Sequence, residues 1–292
     1  MEDEISPDNT VDTGRLWQSQ IQAWEKTPGQ SCRKNASEKK TTPGYAEKNS
    51  ARHAERIQAM ISKLHIKPHY QILDIGAGAG TLAIPMASKS RQVTAVEPSM
   101  AMNSALMDYV AGQKVTNIFC VQRAWEDPNI LDHLEPPYHL VVASLSLGMP
   151  DIKAAIKKME TVACGDIILY WHAGTPGWEK MPRTLWPTLF KTRYHGGPKS
   201  DLLFRVLYEM GIYPRVDVLE CQFEEQFPSM DAAVDSYAEK FRVTDSALFP
   251  VIETYLKKKL LHKGDEWVYP IDHVVMKFQW EAGRRCGNNL IV

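Results

Sequence analysis

Apolar positions along this chain keep two rhythms, one helical and one extended, which alternate from about residue 51 onward. Trp17, Ile21 and Trp24 recur at helical spacing after Arg15, which predicts a short amphipathic helix. A second helix is predicted between Ala51 and Leu64, where Ala54, Ile57, Ile61 and Leu64 form one stripe before Lys67-Pro68 ends it. Short apolar runs then return at Gln71 to Ile75, Gln92 to Val96, Asn117 to Gln122, Leu140 to Ser144 and Asp166 to Trp171. Helical segments lie between them: Leu82 to Ala87, Met100 to Ala111 ended by Gly112, and Asp151 to Val162. Runs of this kind suit strands buried on both faces of a parallel sheet, and the alternation predicts a doubly wound α/β fold.

Further along, Asp201 to Met210 reads as a helix stopped at Gly211, Arg215 to Phe223 as a sixth strand and Val274 to Trp280 as a seventh. Between those strands Val234, Tyr237, Ala238 and Phe241 mark one amphipathic helix, and Leu248, Val251, Ile252, Tyr255 and Leu256 another. Residues 229–263 are therefore read as a helical insert, which either covers a pocket as a lid or thickens the core or a subunit contact. The expected organisation is a helical cap and polar linker over residues 1–50, followed by one sheet domain over residues 51–292.

Chemistry concentrates where the first strand ends. Asp74-Ile75-Gly76-Ala77-Gly78-Ala79-Gly80 breaks an apolar run into alternating glycines, which reach positive φ and let the backbone approach a ligand. The second strand delivers Glu97 to its own carboxyl end. A dinucleotide fingerprint asks for G-x-G-x-x-G, whereas this turn reads G-x-G-x-G. Asp74 would also set like charge beside a pyrophosphate, but suits an ammonium or sulfonium group. In these two motifs the chain resembles the class I S-adenosylmethionine-dependent methyltransferases, and weaker matches extend over roughly residues 45–219.

That resemblance implies a Rossmann-like, seven-stranded sheet and S-adenosyl-L-methionine as cofactor. It places Gly76, Ala77 and Gly78 against the amino acid tail and ribose, Asp74 on the ammonium, and Glu97-Pro98 at the ribose hydroxyls. Met102 is expected on one face of the adenine, Trp125 and Glu126 at its edge, and Ser144 and Ser146 toward the methyl group. Tyr45 and Arg52, on a segment that folds over the cofactor, are expected near the methionine end. His172, just past the fifth strand, is the candidate general base, since an imidazole titrates near neutrality, with a structural histidine as the alternative reading. Trp171, Trp178 and Trp186 are candidates for aromatic walls around an acceptor or for helix packing.

Composition narrows the partners. With 44% hydrophobic and 24% charged residues among 292, the chain can bury an ordinary globular core. Its net charge of −1 offers no broad basic surface for nucleic acid or anionic membrane. No apolar run has the length of a membrane span, and the acidic start is unlike a signal peptide, so a cytoplasmic location is expected. The five cysteines are scattered without a C-x-x-C pair, which predicts reduced thiols and no metal site. The fourth strand lacks the Asn-Pro-Pro-Tyr type of ending that marks the amino-directed adenine and glutamine methyltransferases, which disfavours those acceptors. A small organic acceptor is the expected substrate; a protein side chain, docked through the basic stretch Arg33 to Lys40, is the alternative, and a non-catalytic binder of the cofactor is the third.

Overall fold

The computed structural model describes residues 12–28 and 44–283. The basic stretch Arg33 to Lys40, Cys32 and Cys286 lie outside the described residues. Eight strands form one sheet: β1 Gln71–Ile75, β2 Gln92–Val96, β3 Ile118–Val121, β4 Tyr138–Ser144, β5 Ala163–Ala173, β6 Arg215–Phe227, β7 Leu261–Lys263 and β8 Glu266–Glu281. Their order is β3-β2-β1-β4-β5-β8-β6, with β7 paired to β8. The strands β1 to β5 run parallel, whereas β8 is antiparallel to both β5 and β6. The eighth strand beyond the predicted seven is β7, a three-residue arm joined to β8 through Gly264 at φ +59°.

Helices cover both faces. On one side α1 Thr13–Glu25, α6 Ile152–Val162 and α8 Ser200–Glu209 bury Trp17, Ile21, Ile156, Leu203 and Val206 against Ile75, Val141, Leu169 and Phe278 of the sheet. On the other, α2 Tyr45–Arg52, α3 Ala54–Ser62, α4 Ala83–Ala87 and α5 Met100–Gln113 flank Ile72, Val93, Val142 and Ile168, with Met60, Met86 and Leu106 packed inward. Residues sharing a face alternate along each strand, so both faces of the central strands are apolar. The N-terminal segment is thus split: α1 supports the α6/α8 face, and only α2 and α3 lie on the opposite one.

Several boundaries differ from those predicted, each for a local reason. The helix expected over 51–64 is broken at His53, whose φ of −110° and ψ of 16° interrupt the helical path between α2 and α3. Gly112 does not stop α5; the helix runs on to Gln113 and ends where Lys114 takes the left-handed conformation. Helix α7, Gly177–Phe190, was not anticipated, because Pro182 and Pro187 each remove a backbone donor from its interior. Tertiary burial outweighs that loss: Met181, Leu185, Trp186 and Leu189 sit in a third cluster with α9 Met230–Phe241 and α10 Phe249–Leu256. The Trp186 indole N–H also donates to the Pro28 carbonyl at 3.0 Å.

The outer ribbon is longer than periodicity suggested. Strands β6 and β8 pair from Arg215↔Gln279 to Phe227↔Trp267, well past the part of β8 that meets β5. That projecting half carries Phe227, Tyr269 and Ile271 into the cluster of α7, α9 and α10, which accounts for the insert's apolar faces. Cys120 and Cys221 are free thiols, as expected, but Cys164 is disulfide-bonded, against the expectation of reduced cysteines. Spacing alone carries no information about which distant cysteine a fold brings to Cys164. Among the described residues no helix is long and apolar enough to cross a membrane.

Candidate functional site

The direction of strand succession reverses between β1 and β4, which lie side by side while β2 and β3 extend to the far side of β1. Loops leaving the carboxyl ends of such neighbours part in opposite directions and leave a crevice. Two cavities meet there, one of about 580 Å³ and one of about 190 Å³, and Gly76 and Leu145 line both.

The glycine turn is tied to β2 by two hydrogen bonds, from the Gly76 and Ala77 N–H groups to the Val96 carbonyl at 2.7 and 3.1 Å. Gly76, Gly78 and Gly80 all have positive φ, at +72°, +56° and +84°. Their surroundings distinguish them. A Cβ on Gly76 would stand 2.3 Å from Ser146 Cβ, and one on Gly80 would stand 2.2 Å from Leu106 Cδ1, whereas one on Gly78 would meet nothing within 4 Å. Gly76 and Gly80 therefore allow close packing, and Gly78 leaves a cradle open to a ligand.

Glu97 is placed by that same turn. Its Oε2 accepts from the Gly78 N–H and its Oε1 from the Ser99 N–H, both at 2.9 Å, and the residue is only 6% exposed. Burial raises its carboxyl pKa, and the two N–H donors oppose that rise. The remaining lone pairs face the larger cavity, where an acceptor-only carboxylate suits vicinal hydroxyls. Pro98, Trp125, Glu126 and Ser146 line this cavity too, with Trp24, Met149 and Trp171 completing an apolar wall. The Trp125 ring is packed and lining at once, because its indole N–H is held by the Ala155 carbonyl at 3.1 Å and the Lys158 ammonium lies 5.5 Å from the ring.

The smaller cavity carries opposite charges at its walls. Asp74, 2% exposed, leaves Oδ2 without a partner, and burial followed by the Glu97 carboxylate pushes its pKa up to about 7. Arg56 of α3 lines the same cavity; its Nε has no hydrogen-bond partner, and among the described residues no ion pair neutralises it. Burial lowers the Arg56 pKa. A buried carboxylate and a half-buried guanidinium that leave each other unpaired are complementary to a zwitterion, whose ammonium and carboxylate would satisfy both. Tyr45, Ala77, Gly78, Met102 and Ser144 complete the lining with Asn49 and Thr81, and Asn49 donates to the Thr81 hydroxyl at 3.2 Å.

Asp74 makes stability depend on pH. Its folded pKa of about 7 stands above the ordinary 3.8, so the folded chain keeps a proton that the unfolded chain releases between those values. The stability this proton contributes is fully present below about pH 4 and is lost as pH rises through 7. In the ligand-free protein, Asp74→Asn is expected to raise the unfolding midpoint by roughly a few degrees at pH 8 and to leave it unchanged at pH 4. Equal midpoints for both proteins at pH 8 would show that burial does not penalise the ionised Asp74 carboxylate.

Most of the residues singled out from the sequence converge here, and three do not behave as expected. Arg52 is exposed and lines neither cavity; the break at His53 turns α3 so that Arg56, one helical turn on, faces inward instead. Met102 lies beside Tyr45 and Ala79 at the smaller cavity rather than near Trp125. His172 lines neither cavity, and burial first, then the Lys199, His273 and Arg56 charges, lower its pKa to about 3. Trp24, Asn49, Arg56 and Leu145 were missed. For Arg56 a signal existed in its spacing of four from Arg52, but not one that separates an inward arginine from a solvated one. Among the described residues no group of His, Cys, Asp or Glu could hold a metal ion.

Residues 72–164 match the family described as a methyltransferase domain. Among solved structures, the chain is similar to the YcgJ protein of Bacillus subtilis, with 15% identity over 80% of this chain and 100% of that one, at a TM-score of 0.54. It is also similar to a candidate methyltransferase of Bacillus halodurans, at 13% identity, 78% and 99% coverage and a TM-score of 0.52. Likeness at such identities concerns the fold. A curated relative from Methanosphaera stadtmanae, described as a ribosomal RNA small subunit methyltransferase A, is 35% identical over 63 residues, or 22% of this chain. The match spans 23% of that relative's length.

Proposed function

We propose that this chain, whose residues 72–164 match a methyltransferase domain, is a class I, S-adenosylmethionine-dependent methyltransferase that moves a methyl group from that cofactor to a small organic acceptor. The observation that carries the reading is the set of unpaired groups around an open glycine cradle: Asp74 Oδ2, Arg56 Nε and the free side of Gly78. Asp74 would hold the ammonium, Arg56 the carboxylate, Glu97 the ribose hydroxyls, and Trp125 and Glu126 the adenine. When bound, the cofactor supplies a methyl group on a sulfonium, already a good leaving group. The chain's own contribution is then to bind, align and exclude water, with a base where the acceptor needs one.

A small acceptor is favoured over a macromolecule because the smaller cavity is walled by Tyr45 and Asn49 of α2 and Arg56 and Met60 of α3. The near-zero net charge lends no support to RNA as substrate. A cytoplasmic location and the division into a cap over 1–50 and a catalytic domain over 51–292 belong to the same reading.

Calorimetric titration with S-adenosylhomocysteine, run beside NAD, tests it. Binding of the first alone is expected. Arg56→Ala should weaken that binding by about tenfold, the scale of one charge-assisted hydrogen bond, while Arg52→Ala leaves it unchanged. Affinity should also rise between pH 6 and pH 8, since Asp74 must release its proton before it can pair with an ammonium. Binding of NAD alone would overturn the reading.

A further inference from the structure

The face of the sheet that carries Asp74 holds a second set of buried polar atoms with no partner. Side chains alternate along strands, and Ile72, Val142, Tyr170, Val275 and Cys221 share one core cluster on that face. Asp74, Ser144, His172, His273 and Phe223, each an even number of residues from those positions, therefore point the same way. Register sets them on a diagonal: Ser144 lies opposite Tyr170, two residues before His172; His172 opposite Val275, two residues from His273; and His273 opposite Cys221, two residues before Phe223. Each step crosses one strand and advances two residues, about 7–8 Å, and brings the His172 and His273 ring centroids to 6.4 Å.

At its outer end the diagonal is rich in nitrogen and in aromatic rings. His172 Nδ1 and both ring nitrogens of His273 are buried without hydrogen-bond partners, and His273 is only 5% exposed. Trp178 meets His172 at 4.8 Å and His273 at 4.9 Å between ring centroids, and Phe223 meets His273 at 5.8 Å. From above, His53 closes edge-on to Phe223 at 5.2 Å. The charges that face these imidazoles are Arg56, Arg52, Lys199 and Asp272, and Lys199 is already paired with Glu179. Burial keeps all three histidines neutral, with pKa values lowered to about 4, 3 and 4 for His53, His172 and His273. A neutral imidazole carries one N–H donor and one free nitrogen.

Buried nitrogens without partners each cost on the order of 1–3 kcal/mol. Such a cost is relieved when a ligand brings the missing oxygens. We propose that His172, His273 and His53, walled by Trp178 and Phe223, form the acceptor subsite, and that it selects a flat aromatic acceptor bearing a hydroxyl. The aromatic rings edge the flat body, the hydroxyl donates a hydrogen bond to the free nitrogen of one neutral histidine, and its oxygen accepts from the N–H of another. Parting of the His53–Phe223 contact opens the diagonal from the cap side. The proposal rests on the methyltransferase reading, since the diagonal is argued as the acceptor side of that site.

The probe is 4-nitrophenol, whose binding to protein saturated with S-adenosylhomocysteine is read by quenching of tryptophan fluorescence, beside 4-nitroanisole as the matched molecule with no hydroxyl. Saturable binding at least tenfold tighter for the phenol is expected. His172→Phe and His273→Phe, which keep an aromatic ring in place, should each erase that preference while S-adenosylhomocysteine affinity stays within twofold. Equal affinity of the wild-type protein for both probes, or an undiminished preference in both folded variants, overturns the subsite. The wild-type comparison decides even if a variant fails to fold. Failure to bind S-adenosylhomocysteine at the outset would instead overturn the methyltransferase reading, so the two failures are told apart.

Discussion

Glu97→Ala is expected to weaken S-adenosylhomocysteine binding about thirtyfold, which corresponds to about 2 kcal/mol for the loss of charge-assisted hydrogen bonds. The carboxylate is prepared for this before any ligand arrives. Gly78 N–H and Ser99 N–H grip its two oxygens at 2.9 Å, so it has little rotamer freedom left to lose on binding. The same grip predicts a second consequence. Without the carboxylate, the Gly78 N–H loses the acceptor that pins the turn to the end of β2, and the unfolding midpoint of the free protein should fall by a few degrees. Glu97→Gln separates the two effects: its amide oxygen can keep one N–H bond, so stability should largely recover while ribose binding stays weak. Calorimetry with S-adenosylhomocysteine and thermal unfolding of each variant read the two quantities independently. An unchanged dissociation constant for Glu97→Ala would mean that the ribose is bound elsewhere.

The glycine turn predicts an equally large contrast between neighbouring positions. Gly76→Ala places a methyl group 2.3 Å from Ser146 Cβ, at a φ of +72°. Ser146 cannot simply turn away, because its hydroxyl donates to the Ile75 carbonyl at 2.6 Å. The substitution should cost about 3 kcal/mol of stability, adding left-handed strain to overpacking, and should abolish cofactor binding as the loop after β4 shifts. Gly78→Ala behaves differently. Nothing lies within 4 Å of its added methyl, so only the strain of positive φ remains, about 1 kcal/mol. Cofactor binding should nevertheless fall at least tenfold, since the methyl occupies the open side where a ligand approaches. Denaturant unfolding and calorimetric titration of both variants test this pairing. A Gly78→Ala protein that binds S-adenosylhomocysteine as well as the wild type does would remove that glycine from the site.

Local signals account for the half of this site that could be read in advance. A positive-φ turn needs glycine whatever surrounds it, and a carboxylate at the end of the next strand arrives within a few residues of it, so Gly76, Gly78 and Glu97 announce themselves by type and spacing. The same holds for β1 to β5, whose burial on both faces writes an apolar run into each segment. Other features depend on partners far away along the chain. Helix α7 exists despite two internal prolines because α9, α10 and the β6/β8 ribbon bury its apolar face. Arg56, rather than Arg52, reaches the small cavity because the helix bends at His53, and that bend is a property of the packed cap, not of the helical stripe. The diagonal from Asp74 to His273 joins residues about 200 positions apart, and only the register of β1, β4, β5 and β8 brings them onto one line. By itself, the sequence determined the sheet's central strands and the glycine cradle with its carboxylates, since each follows from conformational demands met within a few residues. Tertiary structure alone decided which arginine faces the small cavity and which histidines share a face, because inward and outward positions on a helix or strand become distinct only when another element packs against them.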